Sequence, residues 1–437
     1  VSAVGFNQAL NVAWTPPLTA GSSAVLRYVV QVRRPNGTWA DATKVRGTSR
    51  SARVTGLSNA RPSRVRVIAV NAVGRSLGSS VVQRRPIATV AVALGDNSTC
   101  AVLRDRQLSC WGENARNELV IISDTENRMS ATRVGVNALD YDNARDHTCV
   151  VLTDGTVRCW GEDEDGQLDG TPGDVGPVLV PGITDATAVA LGREHSCALR
   201  RSGKVACWGQ NARGQSGDGT ITSPASPKDV LTLTDIVEID AGDAHTCARS
   251  SIGEVWCWGQ GAASQLGDGE YLWRSTPVRA KGVSGATSLA VGNEHTCATV
   301  ASGEVWCWGL ASSLQTGYIP FPTVRSDPFP VDGIDDAVDV ATGDAHTCIV
   351  RRDGTAACWG SQQYGRLGNG VSAELATPEP QTVIGLTDAV AVDAGSQHTC
   401  ALLRTGAVSC WGVGVLGQLG NGVPSFGMPT PVRVRGL

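Results

Sequence analysis

The chain is 437 residues long, with 52 Gly, 20 Pro and 14 Cys, 5% aromatic residues and a net charge of −4. That length outgrows one ordinary core, and the composition favours many short strands and tight turns over a helix bundle. No apolar run reaches the ~18–20 residues that a membrane span needs.

The chain opens on Val1 with no signal peptide, so an upstream segment is expected to have been removed close to a domain border. Charge is unevenly placed. Residues 1–86 hold twelve Arg and Lys44 against the single acid Asp41, a net of +12. Residues 87–437 hold 24 basic and 40 acidic side chains, a net of −16. Such asymmetry bears on association rather than on fold.

In chain order, Val1-Ser2-Ala3-Val4 reads as a first strand. Leu10-Asn11-Val12-Ala13-Trp14, Tyr28-Val29-Val30-Gln31-Val32 and the segment from Arg66 through Val70 to Ser76 resemble the second, third and sixth strands of a fibronectin type III domain. The resemblance implies a β-sandwich over residues 1–86 with Trp14 in its core. The sequence departs from the pattern at Ser63, where the corner tyrosine of the sandwich is expected.

Fourteen cysteines follow as seven pairs of constant spacing: Cys100/Cys110, Cys149/Cys159, Cys197/Cys207, Cys247/Cys257, Cys297/Cys307, Cys348/Cys358 and Cys400/Cys410. They recur every 48 to 52 residues, a period that marks a solenoid, an array or a propeller. In the second copy, alternating apolar residues flank Thr153-Asp154-Gly155, a three-residue hairpin loop ending in glycine where a left-handed conformation is needed. That register opposes Cys149 to Cys159, and opposed cysteines can reach disulfide geometry. The glycine recurs as Gly203, Gly253, Gly303, Gly354 and Gly406, with Arg106 the exception. Seven hairpin disulfides are therefore expected, and with them an oxidising, extracellular or cell-surface location. The competing reading is a His-Cys-Cys metal set in each copy. The short knuckle usual for zinc is missing, and no metal or cofactor is expected.

Each repeat supplies four strands, as in Gln381–Ile384, Ala389–Val392, Thr399–Leu403 and Ala407–Trp411. Seven such units predict an all-β seven-bladed propeller over residues 87–437. Pro431–Leu437 matches the segment that precedes each later repeat, whereas Arg84-Arg85-Pro86 precedes the first. The C-terminal strand is thus expected to enter the first blade and close the ring, removing an exposed edge.

The motifs His-Thr-Cys-Ala, Val-x-Cys-Trp-Gly and Gly-Gln-Leu-Gly, the last seen as Gly166-Gln167-Leu168, Gln265-Leu266-Gly267 and Gly417-Gln418-Leu419-Gly420, resemble the regulator-of-chromosome-condensation repeat family. The resemblance covers residues 87–437 and implies a seven-bladed propeller used as a recognition platform. Family members include nuclear nucleotide-exchange factors and secreted bacterial proteins, among them a β-lactamase inhibitor. The cysteine pairs fit the secreted bacterial branch, because a reducing compartment does not keep seven disulfides. The first repeat departs most, with Ser98 for His, Arg106 for Gly and Asn117-Glu118-Leu119 for Gly-Gln-Leu.

His147, His195, His245, His295, His346 and His398 recur at one position, whereas a catalytic site needs one asymmetric constellation. They are expected to bond neighbouring backbone. Trp111, Trp160, Trp208, Trp258, Trp308, Trp359 and Trp411 are expected in or between blade cores. Glu162-Asp163-Glu164-Asp165 lacks the full spacing of a calcium loop and reads as a solvated acidic loop. Asn36-Gly37-Thr38 and Asn97-Ser98-Thr99 fit the glycosylation pattern. The loop after each Gly-Gln-Leu-Gly motif carries Tyr271, Leu272, Trp273 and Arg274, then Tyr318 and Phe321, then Phe426 and Met428. These residues either share a recognition surface or plug their own blades, as Phe329 is expected to do.

No catalytic residues are expected. The leading functional reading is a non-enzymatic extracellular scaffold binding a protein or glycan through a propeller face. The alternative is a structural subunit joined head to tail, basic sandwich to acidic propeller of the next copy. Nucleic acid is disfavoured as a partner, because the sandwich lacks the interleaved aromatics of single-strand binders.

Overall fold

The computed structural model describes residues 2–6, 9–17, 23–34, 36–54, 63–79, 81–84, 89–115, 119, 125–173, 176–317 and 324–437. The chain divides into two compact units, Val1–Val90 with Leu103–Asp105, and Ala91–Val102 with Arg106–Leu437.

The first unit is a sandwich of two antiparallel sheets. One sheet holds Ser2–Phe6, Ala9–Ala13 and Ser51–Val54; the other orders Trp39–Arg46, Arg27–Arg33, Ser63–Val70 and Val82–Arg84. Alternation along the strands sends Val12, Tyr28, Val30, Val65 and Val67 into one core. Trp14 stacks there against Tyr28, ring centroids 5.1 Å apart and tilted by 55°.

The second unit is a ring of seven four-stranded blades. Blades three to seven are separate sheets beginning at Ala186, Ile236, Ala286, Ala337 and Ala389. Blades one and two are continuous with each other. The 16-residue strand Arg128–Asn143 is the fourth strand of blade one, pairing with Gln107–Gly112. The same strand then becomes the first strand of blade two, pairing with His147–Leu152. Around the ring the first strands of successive blades lie side by side, which puts them at the axis.

All seven cysteine pairs form disulfides across the hairpin between second and third strands, with Cα atoms 4.0–4.2 Å apart. In chain order Cys100 bonds to Cys110, Cys149 to Cys159, Cys197 to Cys207 and Cys247 to Cys257. Cys297 then bonds to Cys307, Cys348 to Cys358 and Cys400 to Cys410. Gly155 at φ +87° ends the second hairpin loop, and Arg106 adopts the same left-handed conformation at φ +65°.

Ring closure differs from the sequence expectation. The C-terminal strand Met428–Arg433 pairs with Val408–Gly412 and completes blade seven, not blade one. The physical reason lies in the long loop after each third strand, which returns the chain to its own blade. Gln381 therefore opposes Cys358 as the outer strand of blade six and, against what the sequence pattern suggests, does not start the next unit. With Arg128–Asn143 already at the outer edge of blade one, that blade has no vacancy to fill. Blade seven still meets blade one, because Val434 shares a core with Leu94 and Trp111.

Candidate interaction face of the propeller

One polar joint is repeated between blades. His195 Nε2 lies 2.8 Å from Thr246 Oγ1 of the next blade, and His147–Ser196, His245–Thr296, His295–Thr347, His346–Thr399 and His398–Thr99 repeat the contact. The tryptophan of the later blade donates from Nε1 to the main-chain carbonyl of the earlier blade's Gly-Gln-Leu motif, as Trp308 does to Gln265 at 2.9 Å. Thr296 donates to that same carbonyl. A hydroxyl has one proton, so the histidine supplies the other and carries its hydrogen on Nε2. Burial keeps the rings neutral, holding His147, His245, His295 and His398 down to about 3 and His195 to about 4. The partner of each histidine is thus a hydroxyl of the next blade and not the backbone that the sequence suggests.

The family motif has a mechanical role in this joint. Its leucine is buried, its glutamine side chain ties its own loop (Gln265 Oε1 accepts from the Ala263 amide at 2.9 Å), and Gly267 abuts the next blade's Trp308. Arg366 replaces the glutamine in blade six, where its carbonyl still accepts from Trp411.

The cysteines serve the blades and take no part in the exposed surface. Cys110, Cys207 and Cys257 sit on third strands, fully buried, directly opposite Cys100, Cys197 and Cys247. Their partners across the hairpin face the joint, where Cys197 Sγ lies 3.8 Å from Thr246 Oγ1. Both sulfurs of each pair are spent in a disulfide, and a metal takes a thiolate. The His-Cys-Cys ligand set weighed from the sequence therefore does not assemble. All fourteen cysteines are staples, not contact residues.

At the axis the open edges of the first strands are bridged by carboxylates. Asp140 and Asp142 accept from the amides of Val189 and Leu191, Asp240 from Val291, Asp339 from Val392, and Asp393 from Leu94 across the closure. These bonds satisfy amides that no fifth strand pairs. Burial raises Asp140 and Asp339 to about 6, Asp142 to about 7 and Asp393 to about 8, and the Asp142 charge adds to the shift of Asp393.

The turn after each first strand and the long loop after each third strand lie on one face. All seven are joined by a main-chain bond, from Glu113 to Asn97 in blade one through Val413 to Gln397 in blade seven. One residue per blade converges at the mouth of the ring on this face: Asp96, Arg145, Arg193, Asp243, Asn293, Asp344 and Ser396. Burial and the neighbouring acids Asp96 and Asp243 raise Asp344 to about 7. Sequence reading missed this ring, although it is the variable position two residues before an otherwise constant histidine.

The aromatic loops emerge on the same face, outside this ring. Tyr271, Leu272 and Trp273 are 53%, 56% and 55% exposed, and Phe426 is 82% exposed. Arg274 is tied to Asp268 by Nε and Nη2 at 2.8 and 2.6 Å. Tyr318 and Phe321 lie outside the described residues. Phe329 opposes Cys307 as Val432 opposes Cys410, but it is 41% exposed and so does not plug its blade. Asp163 is buried and accepts from the Leu168 amide at 2.9 Å. It organises its loop as Asn114 and Asn211 do in theirs, and the stretch is not simply solvated.

Such a ring of four-stranded, axis-facing blades defines a β-propeller repeat protein. The regulator of chromosome condensation (RCC1) repeat matches at residues 89–118, 145–167, 186–215, 236–265, 286–315, 337–366 and 389–418, and a second description of the same repeat matches 202–249, 253–299 and 353–402. Residues 1–85 match the fibronectin type III domain. The chain belongs to the regulator-of-chromosome-condensation repeat family, with a fibronectin type III domain ahead of the repeats.

The chain is 37% identical over 102 residues to the human E3 ubiquitin-protein ligase HERC2, covering 23% of this chain and 2% of that protein. It is 34% identical over 92 residues to human Protein RCC2, covering 21% and 17%. The curated relatives are thus matched over a small part of their length. Among solved structures, human WBSCR16 superposes with a TM-score of 0.68 at 22% identity over 75% of this chain and 94% of that one. Yeast RCC1 (Prp20), solved with Kap60 bound to it, gives 0.65 at 21% over 75% and 83%. These likenesses establish the fold.

Proposed function

We propose that the protein is a non-enzymatic recognition scaffold of the extracellular space or cell surface, in the secreted bacterial branch of its family. It binds a protein or glycan through the loop face of the propeller. The carrying observation is that exposed Tyr271, Leu272, Trp273 and Phe426 share one face with a charged axial mouth. Apolar anchors around a polar centre suit recognition, and in sequence the equivalent segment of blade five carries Tyr318 and Phe321. Arg274 acts by holding its loop against Asp268. A protein of this fold, yeast RCC1 (Prp20), has been solved with Kap60 bound to it.

Seven disulfides support an oxidising compartment. The repeated histidines are engaged in blade joints, which supports a non-catalytic role. We take the domain border to lie at residues 86/87. The test is to screen immobilised protein against a glycan array and extracellular proteins, then repeat with Trp273→Ala and Phe321→Ala. Loss of a bound partner with an unchanged melting temperature supports the reading; retention of every partner by both variants sinks it.

A second reading, head-to-tail assembly, rests on the +12 sandwich and −16 propeller. Light scattering at about 0.05 and 1 M salt tests it, since the higher concentration cuts the screening length to ~3 Å. Oligomers that dissolve at high salt favour assembly, and a monomer at both sets it aside.

A further inference from the structure

We propose that the outer face of the sandwich's four-stranded sheet is a docking surface for an anionic polysaccharide. This site is separate from the propeller loops, and it rests on the extracellular reading only for the choice of glycan over nucleic acid.

Strand register puts the charge on one side. Arg27, Val29, Gln31 and Arg33 point away from the Tyr28, Val30 and Val65 core. Arg46, Lys44, Asp41 and Trp39 stand opposite them on the neighbouring strand. On the other flank Arg66 opposes Gln31, and Arg64 lies two residues further along the same face. Arg75 joins through its bridge to Val70. Seven cations therefore share a face of roughly 20 Å by 15 Å, from ~3.3 Å per residue and ~4.8 Å between strands. Six of them are exposed, and the only carboxylate of residues 1–86 is Asp41.

Asp41 is already occupied. Arg75 Nη2 meets it at 2.6 Å, Gln31 donates to it at 2.7 Å and Lys44 lies 3.8 Å away. Arg27 and Arg46 stand directly opposite each other across two strands. Like charges in that register destabilise a sheet, and a fold optimised for stability alone would not set two arginines there. A polymer of sulfate, phosphate or carboxylate groups would remove the repulsion and take several guanidinium contacts along its length.

The propeller of a second copy is a poorer occupant, because its negative charge is dispersed. Asp142 and Asp393 sit at the axis and are pushed toward neutrality, and Asp185, Asp268 and Asp336 are paired with Arg200, Arg274 and Arg351. Single-stranded nucleic acid needs aromatic platforms. Trp39, the one aromatic side chain on this face, is covered by the Arg66 guanidinium at 4.3 Å.

The full chain would be passed over immobilised heparin, polygalacturonate and a 20-nucleotide single strand at 50 and 500 mM salt. The variants are R27Q/R46Q, R33Q/K44Q and, as a propeller control, R404Q. The expected result is binding to at least one polysaccharide that weakens at least tenfold in each double variant and at high salt, but not in R404Q. R27Q/R46Q should melt no lower than the parent, which separates a lost site from a lost fold. The proposal is overturned by no polysaccharide binding at 50 mM salt, or by double variants that bind as the parent does. Tighter binding of the single strand than of either polysaccharide overturns it in favour of nucleic acid. Salt-sensitive self-association abolished by R27Q/R46Q, without polysaccharide binding, overturns it in favour of a second copy. Each of these outcomes leaves the loop-face reading standing.

Discussion

The junction between blades one and two and the six other junctions solve the same problem by different means. At the six, a buried histidine reaches a hydroxyl of the next blade. At the first, Ser98 stands in the histidine's place, Asn143 Nδ2 reaches Ser98 Oγ, and the strand Arg128–Asn143 runs unbroken through both blades. The closure between blades seven and one, where no strand is exchanged, uses the ordinary joint: His398 to Thr99, Trp111 to the Gln418 carbonyl, and Asp393 to the Leu94 amide. Continuous backbone thus stands in for the histidine bridge, and where the backbone ends the bridge is required.

The largest expected effect comes from removing the centre of an ordinary joint. Trp308 is fully buried and donates to Gln265, so Trp308→Ala should cost about 3–5 kcal/mol, read from urea or thermal unfolding. The next effect tests the comparison directly. His295→Ala removes a buried ring and the donor to the Thr347 hydroxyl, which keeps its bond to the Gln315 carbonyl, and should cost about 2–3 kcal/mol. Ser98→Ala at the continuous junction removes only the acceptor of the Asn143 amide and should cost about 1 kcal/mol. Equal losses at the two positions would show that strand continuity carries nothing.

Much of this was legible because the cysteine, tryptophan and histidine positions repeat in phase, so one hairpin register fixed all seven. The connection of blades was harder to read. Gln381–Thr382 has the same apolar alternation whether it pairs backward with Ala357–Cys358 or forward with the next unit, and only the path of the loop at 363–375 decides. The axial mouth escaped for the opposite reason. Asp96, Arg145, Asp243 and their equivalents differ from blade to blade, and their convergence exists only once the ring closes. Phe329 shows the limit of alignment within repeats, since equal register left it far more exposed than a plug would be.

Acid and base should stress different parts of the joints. The histidines titrate near 6.5 when unfolded; when folded, His147, His245, His295 and His398 titrate at about 3 and His195 at about 4, and burial also pushes His346 well down. Their stabilisation is complete above pH 6.5 and is lost as pH falls toward 3. Asp142 and Asp393 titrate near 3.9 unfolded but at about 7 and about 8 folded. Their contribution is greatest below pH 4 and is lost as pH rises to 8. A melting temperature highest between about pH 5 and 6.5, falling on both sides, is expected from scans at pH 4, 6 and 8.5. Asp393→Asn should flatten the alkaline side only, and an unchanged alkaline slope would remove the closure carboxylate from this account.

The smallest effect sharpens the distinctness of blade one. Six of the seven hairpin loops end in glycine at positive φ, and Arg106 adopts the same conformation at +65° with an exposed side chain. A side chain in that region costs roughly 1 kcal/mol, while glycine adds unfolded-state entropy that offsets part of the relief. Arg106→Gly should therefore stabilise the protein by about 0.5 kcal/mol, within reach of a denaturant midpoint at constant m. The Arg106 carbonyl accepts from the Ala138 amide at 2.8 Å in the continuous strand, a bond that glycine preserves. A loss of stability instead would mean that the Arg106 side chain itself helps to hold blade one to blade two, beyond what the shared backbone supplies.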